Sequence, residues 1–296
     1  MTPETMPILH QYEVSPYSEK VRLAFGLKGL AWRACNQPAI MPKPELLALT
    51  GAYRRIPVLQ IGADIYCDSE LVLDEIGRRF GGPDLFAAGG RLANRAIQQW
   101  ADGQLFPTVV GLLFAGDWNY DAAFAADRAA LSGRPFDPEA FRAAGPRLTG
   151  RLQELLGLVE GQLADGRRFL FGDAAGAADL QVAHNIIFMR WGKGRTAQLL
   201  EAYPRLNAWA DRIAAIGHGD RTDIDRQEAI AIARAAPKAP DVGPKARFVT
   251  NDADATPVEG RLLGREGGRV SIRIETREAG ALAVHFPEAS GKLHLD

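Results

Sequence analysis

Cysteine is nearly absent from this chain. Cys35 and Cys67 are the only two among 296 residues, and their separation excludes a disulfide framework and the close ligand spacing of a structural metal site. An excess of one charge is also missing. Lys and Arg number 35 against 36 Asp and Glu, a formal net charge of -1, which leaves no electrostatic footprint for nucleic acid. No apolar run is long enough for a membrane span, and the opening MTPETMPILHQY lacks the basic flank and apolar core of a secretory signal. The expected location is the cytoplasm, and the expected partners are small molecules and other protein chains, with no nucleic acid, membrane or metal.

Hydrophobic residues make up 47% of the chain and charged residues 24%, ordinary values for a globular protein of about two domains with an appendage. The first segment, residues 1–82, alternates strand and helix signals in the order β-α-β-α-β-β-α. Ile8 to Tyr12 reads as a strand and Pro16 to Lys28 as a helix closed at Gly29. The stretch RRIPVLQIGADIYCD reads as a hairpin, and a helix from Ser69 to Phe80 follows. Residues 91–236 carry long helical patterns over Leu92–Phe114, Pro138–Leu163, Ala177–Trp191 and Pro204–Ile216, with a short helix at Asp225–Ala235. The aromatic-rich connection GDWNYDAAFAADRAALSGRPFDP reads as a long lid-like loop. After a Pro-rich linker, residues 244–296 alternate at period two and read as a small β meander.

Three short motifs carry chemistry. In SPYS, Ser15 stands at an N-cap and Pro16 at the first helical position, where its missing N–H costs nothing. Two roles are open for Ser15: a plain helix cap, or a hydroxyl that hydrogen-bonds a sulfur anion held over the helix N-terminus. Ile56-Pro57 interrupts a strand pattern, which points to a special turn or an edge strand, and in the first case leaves the Ile56 backbone open to a peptide-like ligand. Asp68 and Ser69, in CDSEL, present another helix start, suited to an α-carboxylate and an ammonium group or simply to capping.

With these motifs in the order in which they occur, residues 7–82 resemble the thioredoxin-like N-terminal domain of the cytosolic glutathione transferases. PILHQYEVSPYSEKVR is similar to the opening of serine-type members such as the zeta class, and SPYSEKVRLAF resembles the tau and omega patterns; glutaredoxins carry cysteines at the places of Ser15 and Ser18. The helical part, with AGAADLQVAHNI and YPRLNAWADRIAAI, resembles the family's all-α C-terminal domain. The resemblance implies a detoxifying glutathione transferase with glutathione as co-substrate, in which Ser15 stabilises the thiolate that attacks an electrophilic small molecule; the alternative is a non-catalytic ligand-binding or assembly protein that keeps the fold. The resemblance implies that Ile56, before Pro57, pairs with the cysteinyl backbone and that Asp68 and Ser69 hold the γ-glutamyl end. The glycine carboxylate needs a basic partner, for which Lys43 and Arg54 are the candidates. Tyr12, Val14, Phe106, Phe114, Trp118 and Tyr120 would line the electrophile pocket, and Tyr12 is a rival hydroxyl donor. A two-fold homodimer is also implied, burying more than about 1,000 Å². The chain departs from the family where Asp68 replaces a Glu or Gln, and where Gly176 stands in place of the Ser or Thr that caps the helix bearing Asp179.

The tail has no such guide. A three-residue loop, Glu266–Gly268, would pair Leu262 with Ile272 and Gly264 with Val270, placing Val258, Leu262, Val270, Ile272 and Ile274 on one face. Arg261, Arg265, Arg269 and Arg273 then form a row on the other, with Arg265 opposite Arg269 and Arg261 opposite Arg273. Water together with Glu259, Glu266 and Glu275 could screen that row, or it could meet carboxylates of the helical domain or a partner subunit.

Overall fold

The computed structural model describes residues 5–192 and 194–295. The first segment folds as β1 (Ile8–Gln11), α1 (Pro16–Leu27), β2 (Ala31–Asn36), α2 (Pro44–Thr50), β3 (Val58–Ile61), β4 (Asp64–Cys67) and α3 (Ser69–Arg79). This is the expected order. Helix α1 starts where Ser15 accepts from the Ser18 N–H at 3.2 Å and stops before Gly29, whose φ of 60° suits glycine.

The helical domain holds α4 (Gly90–Trp100), α5 (Phe106–Leu112), α6 (Ala122–Ser132), α7 (Pro138–Gln162), α8 (Ala177–Gly192), α9 (Arg195–Gln198) and α10 (Pro204–Ala214). Two π-helical turns, Ala101–Leu105 and Leu113–Asp117, interrupt the run that begins at α4. The connection read as a long loop contains α6. Its signals were local and small: Asp121 caps it by accepting from the Phe124 N–H at 2.7 Å, and Gly133 closes it at φ 67°.

The departure at Gly176 has a steric cause, because a Cβ there would lie 2.9 Å from the Leu85 carbonyl oxygen. The lost cap is replaced from outside the helix. The Asn94 side chain accepts from the Ala178 N–H at 2.8 Å, and Asp179 accepts from Gly176, Leu170 and the Trp209 indole.

After α10 come β5 (Asp220–Asp223), α11 (Arg226–Ala235), β6 (Lys245–Thr250), β7 (Val258–Glu266), β8 (Arg269–Thr276), β9 (Gly280–Pro287) and β10 (Gly291–Leu295). The C-terminal strands do form a meander, but not a free-standing one. Strand β9 pairs in parallel with β4, so one sheet runs β10-β6-β7-β8-β9-β4-β3-β1-β2-β5. On one face of the first segment, α1 and α3 share a core with the helical domain. A second core joins Leu46, Leu49, Tyr53, Val58 and Ile65 to Phe248, Val270, Ile272, Ile274 and Phe286.

The hairpin register differs from expectation beyond Leu262. Leu262 does face Ile272 and Arg261 faces Arg273, but Gly264 faces Ser271, Arg265 faces Val270 and Glu266 faces Arg269. Gly267 and Gly268 both take positive φ, 58° and 76°, which makes a tight two-residue turn, and the spare residue forms a bulge between Leu262 and Gly264. The arginines meet carboxylates, though none in α4–α10. Arg261 and Arg273 share Asp241 of the linker, Arg273 also pairs with Glu275, Arg265 pairs with Glu288, and Arg269 lies 3.8 Å from Glu75 of α3.

Candidate active site

The head of α1 opens onto a cavity of about 260 Å³ between the two domains. Tyr12, Val14, Ser15, Pro16 and Tyr17 form its floor. Lys43, Arg54, Arg55 and Ile56 line it from the region around α2, and Phe106, Val110, Phe114 and Trp118 from α5 and the π turn that follows. Helix α6 contributes Phe124, Arg128 and Leu131, and α8 contributes Phe188.

Ser15 is buried, and its Oγ accepts from the Ser18 N–H. No group among the described residues accepts the hydroxyl proton, so capping leaves that proton free to point into the cavity. Capping, the first of the two roles that its sequence context leaves open, thus does not use up the hydroxyl proton. The Ile56-Pro57 peptide is cis, and among the described residues neither the N–H nor the C=O of Ile56 takes part in a hydrogen bond, since the ladder with β4 begins at Val58. An unpaired backbone at a cavity wall is an adhesive edge for an extended peptide.

At the cationic end Lys43 is 4% exposed, and its ammonium donates to the Arg54 carbonyl at 3.0 Å. Burial lowers its pKa to about 8; Arg128 and Arg54 act in the same direction and Asp127 against it. Arg54 is committed elsewhere: Nη1 lies 2.7 Å from Asp127 and Nη2 lies 2.6 Å from Asp254.

Asp68, Ser69 and Pro57 do not line this cavity. Asp68 caps α3, accepting from the Glu70 N–H at 2.8 Å, and holds φ at 78°, the one positive φ outside glycine among the described residues. Such a backbone is costly and clusters at functional sites. Burial raises its carboxyl pKa, opposed by the Glu70 N–H and Lys20. Tyr120 stands behind the lining, its ring edge-on to Phe114 and Phe136. Sequence reasoning missed Tyr17, Arg55, Phe124, Arg128, Leu131 and Phe188. The cap signals around α6 could have located three of these; nothing local marks Arg55.

The protein's own thiols are ill suited to redox work. Burial raises Cys35 to about 12 and Cys67 well above its ordinary value, so neither is a thiolate near neutral pH. What the cavity offers instead is a free hydroxyl proton, an open peptide backbone and a cationic end, beside an apolar wall. Such a lining suits an extended ligand with an anionic end and an apolar group beside it.

Family comparison agrees with this geometry. The profile of the glutathione S-transferase N-terminal domain matches residues 9–84, and that of the C-terminal domain matches residues 138–212. A crystal structure of a GST-like protein from Pseudomonas syringae is 33% identical, with a TM-score of 0.81, covering 99% of this chain and all of that one. This chain therefore belongs to the glutathione S-transferase family. Among curated relatives, glutathione S-transferase U4 of Arabidopsis thaliana is 24% identical over 68% of this chain and 81% of its own. The probable glutathione S-transferase BZ2 of Zea mays is 27% identical over 75% of this chain and 92% of its own. The coverage of the Pseudomonas protein extends through the C-terminal strands.

Proposed function

We propose that this protein is a cytoplasmic glutathione transferase in which the Ser15 hydroxyl holds the glutathione thiol as a thiolate for attack on an electrophilic carbon. The observation that carries the reading is the uncommitted Ser15 proton at the cavity floor. A hydroxyl donating to a sulfur anion at a helix N-terminus favours the ionised form, and each unit by which the thiol pKa falls corresponds to about 1.4 kcal/mol. Ser15 stabilises and orients; it forms no covalent bond.

Ile56 pairs through its backbone with the cysteinyl residue, next to Pro57. Asp68 and Ser69 receive the γ-glutamyl end at the start of α3. Lys43 takes the glycine carboxylate, because Arg54 already faces Asp127 and Asp254. The electrophile is apolar and aromatic, since Val14, Phe106, Phe114 and Trp118 meet it. Tyr12 lines the same cavity and borders the electrophile, with Tyr120 supporting Phe114 from behind.

The test joins two measurements on the full chain: calorimetric titration with glutathione, and conjugation of a set of aromatic electrophiles. Glutathione binding together with glutathione-dependent conjugation is the expected result. Binding without turnover of any electrophile would leave a ligand-binding protein, and absence of binding would remove the reading.

A further inference from the structure

The loop between β6 and β7 belongs to the C-terminal extension, yet it reaches the cationic end of the cavity. Asp252 pairs with Arg55 across 197 residues of sequence and is fixed from behind by the Thr250 hydroxyl at 3.1 Å. Its side chain is only 9% exposed. Asp254 holds Arg54 at 2.6 Å, and between the two acids the Ala253 N–H donates to the Leu131 carbonyl of α6 at 3.3 Å. The loop therefore grips the segment before Ile56 on one side and a cavity-lining helix on the other. Arg54 in turn holds Lys43 through its carbonyl.

We propose that Asp252 and Asp254 are positioning residues for Arg54, Arg55 and, through Arg54, Lys43, which makes the C-terminal strands part of the ligand site. The proposal rests on the glutathione reading above. Long cationic side chains lose much rotamer freedom when they are fixed on a ligand, and a carboxylate that fixes them beforehand removes part of that cost. The electrostatic sign makes the idea testable. Deleting two negative charges beside an anion site would, by charge alone, tighten binding of a carboxylate; weaker binding therefore reports lost positioning.

The test compares glutathione with γ-glutamylcysteine, which lacks the glycine carboxylate, on the full chain and on the Asp252→Ala/Asp254→Ala double variant. Glutathione should bind at least about fivefold more weakly to the variant and γ-glutamylcysteine less than twofold, with kcat at saturation unchanged. If the alanine variant does not fold, Asp252→Asn/Asp254→Asn keeps the shapes and should show the same selective loss, at least twofold. Equal loss for both ligands, as expected of a purely structural loop, overturns the proposal, as does unchanged or tighter glutathione binding. A wild-type chain that binds neither ligand overturns the glutathione reading and this inference with it; a wild-type chain that binds, with variants that do not discriminate, overturns the inference alone.

Discussion

Lys43 shows how far the fold moves the chemistry of a single residue. It is buried and lacks a carboxylate within ion-pair distance among the described residues, and its pKa falls from 10.5 to about 8. A lysine with a lowered pKa is charged below that value and neutral above it, so its attraction for a ligand carboxylate should fade as pH rises through 8. We expect the affinity for S-methylglutathione, whose thiol cannot titrate, to fall more steeply between pH 7 and 9.5 in the wild type than in Lys43→Arg. The ligand's own ammonium titrates equally in both, so parallel profiles would exclude Lys43 as the carboxylate partner. Much of the site was legible at this scale because capping chemistry is local: Ser15 before Pro16 marks a helix start, and Ile56 before Pro57 marks a broken ladder. Arg55 was not legible, because its partner Asp252 lies far along the chain, and a lone arginine reads as solvated charge wherever it stands.

The elements that packing defines by periodicity were readable, and those made by pairing were not. Helices α1, α3, α7 and α10 each begin or end on local signals and carry an apolar stripe that a 3.6-residue period reveals. Strand β5 escapes any such reading, because Asp220–Asp223 is polar and becomes a strand only by lying beside β2. The same holds for the junction of β9 with β4, where each strand is buried along most of its length and nothing in either sequence names its neighbour. Between Gly267 and Gly268 the turn chemistry was visible, but choosing two residues over three depended on the bulge before Arg265. The shared second core makes a strong prediction for the extension. Truncation after Val242 would bare Leu46, Leu49, Tyr53, Val58 and Ile65, and each large apolar side chain returned to water costs about 1.5–3 kcal/mol. The truncated chain should melt at least about 10 °C lower or fail to remain soluble; unchanged melting would mean that the strands are a separate appendage. Sedimentation of the intact chain at micromolar concentration should give the homodimer that the family resemblance implies, and a monomer would remove that claim.

Across the whole molecule, one ten-stranded sheet links the segment that carries Ser15 to the strands that flank the loop of Asp252 and Asp254, while the helical domain closes the cavity from above α1. Charge is balanced over the chain and nearly so at the site, where Asp127, Asp252 and Asp254 pair with Arg54, Arg55 and Arg128 and leave Lys43 as the cation without a carboxylate partner among the described residues, at one end of a cavity whose other walls are largely apolar. That asymmetry suits a ligand with an anionic end and an apolar co-substrate. It leaves open to experiment whether the hydroxyl at the floor lowers the pKa of the thiol. Ultraviolet titration of the thiolate of bound glutathione answers this directly in three proteins: wild type, Ser15→Ala and Tyr12→Phe. The account predicts that Ser15→Ala raises the thiol pKa by about 1 to 2 units with little change in binding, while Tyr12→Phe leaves it in place. An unchanged pKa in Ser15→Ala, or a rise in Tyr12→Phe instead, would contradict it and return Ser15 to the role of a helix cap.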